Sequence, residues 1–512
     1  MKLTRAQFLG AATATVGGLA LSGCTEITRR VSRTSLPEQI GTVDVEASDP
    51  AWRALNRMAY GPRPGDVERV RRIGVDAYVE EQLAPEHIEE PWAAWMRLMP
   101  LDTLDLDAAD AEDFEVANYP EVGKGQSAIE LQQACLLRSV YSARQLEQVM
   151  VEFWSDHFNI TQLKGECSWL KTVDDRIIRK HAMGNFRELV SASAHSPAML
   201  FYLDNDKNQK RDPKTGSGAN ENYARELLEL HTLGVRGGYS LKDIQEVARC
   251  FSGWKYKKGL QAWPGDFTFD VARHDAGPKR VLGVPIPARE GADGVKDGEQ
   301  VIDIVCRHPS TARFVARKLC RRFVADRGPE PLVERLAAVF QKTDGNIKQV
   351  LSTLFHSDEF RHGPTQKFKR PFDYTVSALR ALNADTSGEG VLPYLEQMGQ
   401  LPYKWTMPDG YPDRFEAWTP SMLARWNFAV DLVQGKIKGT HVQPGALAEA
   451  TKAKGPTEQC QALSRVILGK ALPEAQIQRM ASLATSTAPQ AMEVAASQWA
   501  ALLLAAPQFQ WR

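Results

Sequence analysis

From about residue 50 onward, apolar side chains recur every three to four positions, the spacing of helices with one buried face. Over Ala128–Phe158 the stripe runs Leu137, Val140/Tyr141, Leu146, Val149/Met150, Phe153/Trp154 and Phe158, which predicts one long helix. A second is expected from Asn222 to Leu233, ended by Gly234, a residue that tolerates a left-handed cap. Ser240, with Asp243 three places on, predicts the start of a helix carrying Ile244, Val247, Ala248 and Phe251. Further helices are predicted over Thr311–Phe323, Ile347–Phe355 and, behind Thr419-Pro420, Ser421–Val433. Strand signal is confined to Trp254–Leu282, where Phe267-Thr268-Phe269 alternates among Gly and Pro. Leu101–Glu115, crowded with carboxylates, reads as an acidic loop. The fold class is therefore mainly α. We expect a main helical domain over 49–435 with a small β-hairpin insertion around 254–283, and a C-terminal helical portion, 436–512, packing on it.

The first 48 residues break this pattern. Lys2 and Arg5 lead an apolar run, Phe8–Leu21, too short to span a membrane comfortably, which ends at Leu21-Ser22-Gly23-Cys24. That ending resembles the lipobox of bacterial lipoproteins. It implies a signal peptide over 1–23, acylation of Cys24 and a flexible tether to residue 48, roughly 25–30 Å on coil statistics. Acyl chains anchor because each buried CH₂ contributes about 0.8 kcal/mol, and two chains hold where one barely does. The expected address is the cell envelope, with the membrane as partner through the lipid. Thr25, where an Asp would retain the protein at the inner membrane, favours the outer membrane of a Gram-negative cell. Thr4-Arg5-Ala6-Gln7-Phe8-Leu9 resembles a twin-arginine signal with Ala6 in the second arginine's place, so both export routes stay open.

Charge adds an exclusion: 63 basic residues balance 63 acidic ones, leaving no global field for nucleic acid. The six cysteines after Cys24 show neither a close pair nor zinc-type spacing. No serine elbow, phosphate-binding loop or dinucleotide fingerprint occurs.

Several separated segments share the pattern of one bacterial family. They include Leu55-Asn56-Arg57-Met58-Ala59-Tyr60-Gly61-Pro62, Phe153-Trp154-Ser155-Asp156-His157-Phe158 and Asn220 to Gly234. Phe251-Ser252-Gly253-Trp254, Ala272-Arg273-His274-Asp275, Pro408-Asp409-Gly410-Tyr411-Pro412 and Ala424-Arg425-Trp426-Asn427-Phe428 continue it. On these the chain resembles the family catalogued as domain of unknown function 1800. The resemblance implies an exported, mostly helical protein without a settled activity. By association it also implies a partner: an exported sulfatase- or phosphatase-like protein of the family catalogued as domain of unknown function 1501.

Candidate chemistry falls at four places. Glu152 and Asp156 lie one turn apart on a helix face, with His157 beside them at the helix end. Asn222, Glu226 and Glu229 form a second polar stripe, flanked by Arg225. His274 sits next to Asp275 in the hairpin region. Arg313, Arg317 and Arg321 make an i, i+4, i+8 stripe suited to phosphate, sulfate or uronate groups. Two readings follow. In one, Asp156, His157, Glu226 and His274 serve as acid/base groups or ligands of a divalent metal, with Asn222 orienting and Arg225 holding an anionic group, in a hydrolase of an envelope or extracellular polymer. In the other, those residues form a buried polar network, and the protein binds an exported partner or glycan, through the arginine stripe or the aromatic stretch Tyr403, Trp405, Tyr411 and Trp418.

Overall fold

The computed structural model describes residues 34–41, 49–118, 125–212, 218–257, 266–363, 367–484 and 488–512. The signal segment, Cys24 and part of the tether lie outside them. Residues 34–41 belong to the body rather than to a tether. Ile40 is buried and its N–H donates to Ala450 O at 3.0 Å, while Asn383 Nδ2 donates to Thr34 O at 3.2 Å.

Helix α1 (Pro50–Arg57) starts where Asp49 accepts the Trp52 N–H and Pro50 fills the first helical position, whose N–H would have no partner anyway. The acidic stretch is not a loop. Asp107 Oδ1 accepts the N–H groups of Ala109 and Asp110 at 2.9 Å each, and a helix runs from Ala108 to Asn118. The single helix expected over Ala128–Phe158 is two, α2 (Gln126–Tyr141) and α3 (Gln145–His157). The break is held from elsewhere: Glu90 accepts from Ser142 Oγ and Ala143 N at 2.7 and 3.1 Å, and Gln82 Oε1 accepts the Leu146 N–H at 3.1 Å.

The segment expected from Asn222 to Leu233 begins as α4 (Asn222–Glu226) and widens into a π turn over Leu227–His231. Gly234 closes it at φ +83°, where a Cβ would lie 2.8 Å from the Phe314 ring. Ser240 and Asp243 form the expected capping box of α5 (Leu241–Cys250). Next come two small antiparallel sheets instead of one hairpin: β1 (Trp254–Tyr256) with β2 (Phe267–Phe269), then β3 (Lys279–Val281) with β4 (Val284–Ile286). Helix α6 (Lys296–Arg307) leads to α7 (Pro309–Phe323), whose first turn is capped by the His308 ring accepting from Ser310 N. Helix α8 (Glu330–Lys342) packs along α7.

Helix α9 (Pro371–Ala381) is buried at every residue and precedes β5 (Asp385–Thr386). Helix α10 (Met422–Val433) follows a 3₁₀ turn that carries Pro420. β6 (Thr440–His441) pairs with β5, and α11 (Pro489–Ala505) packs beside α10. The last residues return to the start of α9, with Lys367 N donating to Arg512 O at 2.9 Å and Lys369 N to Gln510 O at 2.8 Å. One apolar core runs from Ile40 to Phe509 and contains Trp154, Trp254 and Trp499 fully buried. Among the described residues six cysteines are free and buried. Among the described residues no helix is long and apolar enough to cross a membrane.

Candidate functional site

Helix α3 presents Glu152 and Asp156 one turn apart, and both meet Arg370, the residue before Pro371 at the start of α9. Glu152 accepts two bonds from Arg370 Nη2, at 2.8 and 2.7 Å, and others from Arg322 Nη2 and Tyr60 OH, each at 3.3 Å. Three places into α9, Asp373 takes Arg322 at 3.1 and 3.3 Å and Arg370 Nε at 3.1 Å, with Arg512 at 3.4 Å. Burial alone would raise the Asp373 carboxyl, but the guanidinium groups of Arg322, Arg370 and Arg512 outweigh it and hold it well below the ordinary range. Asp413 behaves likewise: Lys367, 2.8 Å away, and Arg370 overcome burial and bring it to about 2.

Asp156 is the exception. Among the described residues its one ion pair is with Arg370 Nη1 at 3.4 Å, and its side chain is 22% exposed. Burial first, then the charge of Glu152, push its carboxyl up to about 7. Beside it the Lys318 ammonium is lowered to about 8, chiefly by burial, against the pull of Asp156.

His157 is buried among rings and has no free nitrogen. Its Nε2 lies 2.9 Å from the His231 carbonyl and its Nδ1 2.9 Å from Lys318 Nζ. A carbonyl only accepts and an ammonium only donates, so Nε2 carries the proton and Nδ1 accepts. Burial and then Lys318 hold the ring neutral. This bond joins the end of α3 to the π turn after α4, where His231, brought to about 3 by burial, is also neutral. The ends of these two elements thus meet through a structural hydrogen bond.

The loop after residue 400 closes over this end. Asn159 Nδ2 donates to the carbonyls of Trp405 and Met407 at 2.9 and 2.7 Å. Gly410, at φ +74°, has no room for a side chain: a Cβ would lie 2.1 Å from Asp156 O. Tyr403 and Trp418 are buried, and Tyr411 OH is tied to Leu401 O at 2.6 Å. The aromatic stretch is thus seated on the core more than it forms an open platform.

The remaining candidates go elsewhere. Asn222 Nδ2 bonds Leu203 O at 3.2 Å, and Arg225 pairs with Glu221 at 3.2 Å across one turn. Glu226 is raised by burial and then by Glu229, but among the described residues no hydrogen bond or ion pair joins it to Asp156. His274 lies in a separate cluster with Ser252 and Asp297 that has the composition of a serine–histidine–aspartate relay. The geometry denies that role. His274 Nδ1 faces the Ser252 carbonyl at 2.9 Å and must carry its hydrogen, while the Ser252 hydroxyl donates to Arg249 O at 2.6 Å. Asp297 is shared with Lys279 and Arg289, and all three relay residues are buried.

The proposed metal set of Asp156, His157, Glu226 and His274 is therefore not assembled: one histidine has both nitrogens occupied and the other lies in a different cluster. Among the described residues no group of three or more His, Cys, Asp or Glu stands where it could hold a metal ion. The arginine stripe divides. Arg313 pairs with Glu334 at 3.0 Å and Arg317 with Glu330 at 2.6 Å, whereas Arg321 has no ion pair among the described residues and donates to the Asp326 carbonyl at 3.4 Å.

Sequence reasoning missed Arg370, Asp373 and Arg512, the centre of the charged hub. The one local signal was Lys367-Phe368-Lys369-Arg370-Pro371-Phe372-Asp373, a cluster of basic residues against a proline-led helix start. A family model described as "Protein of unknown function (DUF1800)" matches residues 53–511. No curated protein and no solved structure matches the chain.

Proposed function

This chain belongs to the DUF1800 family, and from that premise we propose an exported, lipid-anchored envelope protein that works by binding an exported partner protein. One observation carries the reading. On α10, Leu423, Trp426 and Val430 stand 66%, 46% and 40% exposed, while Arg425, Phe428, Ala429 and Leu432 of the same helix are buried. Spacings of three, four and seven put the three apolar residues on one outward face. A tryptophan flanked by two aliphatic residues on a helix is the kind of anchor a partner groove takes, and truncating such an anchor costs about 2 kcal/mol or more of binding.

The polar candidates support the same reading, since Glu152 and His157 are spent on holding α3, α7, α9 and the π turn together. The partner we propose is an exported sulfatase- or phosphatase-like protein of the family catalogued as domain of unknown function 1501. The test is a photo-crosslinking residue at position 426 in intact cells. It should capture one exported protein, and Trp426→Glu should abolish co-purification without lowering stability. Capture no better than from exposed Lys342 would sink the proposal. Cys24→Ala should release the protein from membranes, and unchanged retention would count against the lipid anchor.

The alternative, a metal-assisted hydrolase of an envelope or extracellular polymer, keeps one observation. Asp156 at about 7 and Lys318 at about 8 both lie near neutral pH, where general acid–base groups are most effective. An Asp156 titration midpoint near that of a free carboxylate would remove it.

A further inference from the structure

Arg321, Arg327 and Arg414 surround a hollow of 480 Å³ that is also lined by Asp326, Glu416, Pro412 and Ala417. Among the described residues none of the three arginines has a carboxylate within ion-pair distance, although Arg313 and Arg317, on the same helix as Arg321, are both neutralised. Asp326 cannot serve them well. Its Oδ1 accepts from buried Lys367 and its Oδ2 from the Phe415 N–H, each at 2.8 Å. Three cations therefore face one exposed carboxylate, Glu416, with Asp326 and Asp413 nearby but both engaged from behind by buried Lys367 at 2.8 Å.

We propose that this hollow binds a tetrahedral oxyanion, a phosphate or sulfate group carried as an ester on a sugar. Guanidinium groups present paired N–H donors that match such oxygens and stay charged at any working pH. The hollow is too large for a bare ion and falls in the range of about 300–1,000 Å³ typical of organic ligand sites. Pro412 and Ala417 give it an apolar wall for a sugar face. Burial, then the neighbouring Arg414, lower Arg321 from the ordinary arginine range against the pull of Asp413 and Asp326. The inference does not depend on the partner-binding reading, which rests on α10.

Calorimetric titration of the purified full chain at low salt tests it, with glucose 6-sulfate, glucose 6-phosphate, glucuronate, inorganic sulfate and inorganic phosphate as probes. At least one 6-ester should bind about tenfold more tightly than its inorganic ion. Arg321→Gln and Arg414→Gln should each weaken that binding about tenfold or more, since each removes a charge-assisted contact. Arg317→Gln should leave it within about twofold. Arg414 is exposed and outside the core, so its variant reports on the site even if Arg321→Gln fails to fold. Three results would overturn the proposal: no ester binding at millimolar concentration, glucuronate binding as tightly as the esters, or equal loss in Arg317→Gln.

Discussion

Asp373 and Asp156 touch the same guanidinium and end in opposite states. Asp373, sealed on α9, faces Arg322, Arg370 and Arg512 and stays ionised far below the ordinary range. Asp156, at the end of α3, has among the described residues one long ion pair, to Arg370, shares the neighbourhood with Glu152, and holds its proton to about 7. Burial opposes ionisation at both. What separates them is the number of guanidinium groups in direct contact, three at Asp373 against one at Asp156, together with the like charge of Glu152 beside Asp156, so the inner half of the hub clamps the fold while the outer half stays responsive to pH.

The largest effect should come from breaking the inner half. Asp373→Asn leaves three buried guanidinium groups short of an anion, and removing one partner from such a pair costs roughly 3–5 kcal/mol. Urea unfolding at neutral pH measures it; a loss under about 1 kcal/mol would show that Glu152 and Asp413 neutralise the arginines alone. Acid should act in the same direction. Asp413 and Asp373 have folded values below their unfolded ones, so their stabilisation is full above the unfolded carboxylate value of about 4 and is lost as pH falls, for Asp413 down to about 2.

The outer half should respond with the opposite sign. Between the unfolded carboxylate value and about 7, folded Asp156 keeps a proton that the unfolded chain has released. Stability attributable to it is therefore present at low pH and declines as pH rises across that window. Asp156→Asn, which stays uncharged, should change stability little at about pH 4 and raise it by up to about 4 kcal/mol at about pH 8, roughly 1.4 kcal/mol for each pH unit of the window. Urea unfolding at the two pH values decides: a variant less stable at the higher pH would mean that Asp156 is ion-paired much as Asp373 is.

This division was not legible in the sequence, although much of the fold was. The capping box at Ser240 and Asp243, the glycine stop at Gly234 and the helix over Ile347–Phe355 follow from local spacing and local side-chain bonds, and the structure has all three. The break after Tyr141 escaped because Gln82 and Glu90 hold it from 50 to 65 residues upstream, with no glycine or proline to mark it. The hub escaped for a related reason: Glu152, Arg322, Asp373 and Arg512 come from four distant stretches, and periodicity reports a buried face without saying which charges share it. Asp156 and His157 were visible as polar residues on a helix end. Their roles depend on Lys318 and the His231 carbonyl, which only the folded chain brings near.

The smallest effect belongs to the arginines outside both halves. Arg313 and Arg317 form ion pairs on the surface of α7, with side chains about half exposed (53% and 45%). Water screens such pairs, and ordering two long side chains offsets most of the attraction. Arg313→Gln and Arg317→Gln should each change unfolding stability by less than about 0.5 kcal/mol, with the difference shrinking further in high salt. Arg370→Gln, one guanidinium removed from the sealed half, should cost several times more in the same assay. Equal losses from the exposed and the buried arginines would mean that burial does not set the worth of these charges, and the contrast between Asp373 and Asp156 would lose its physical basis.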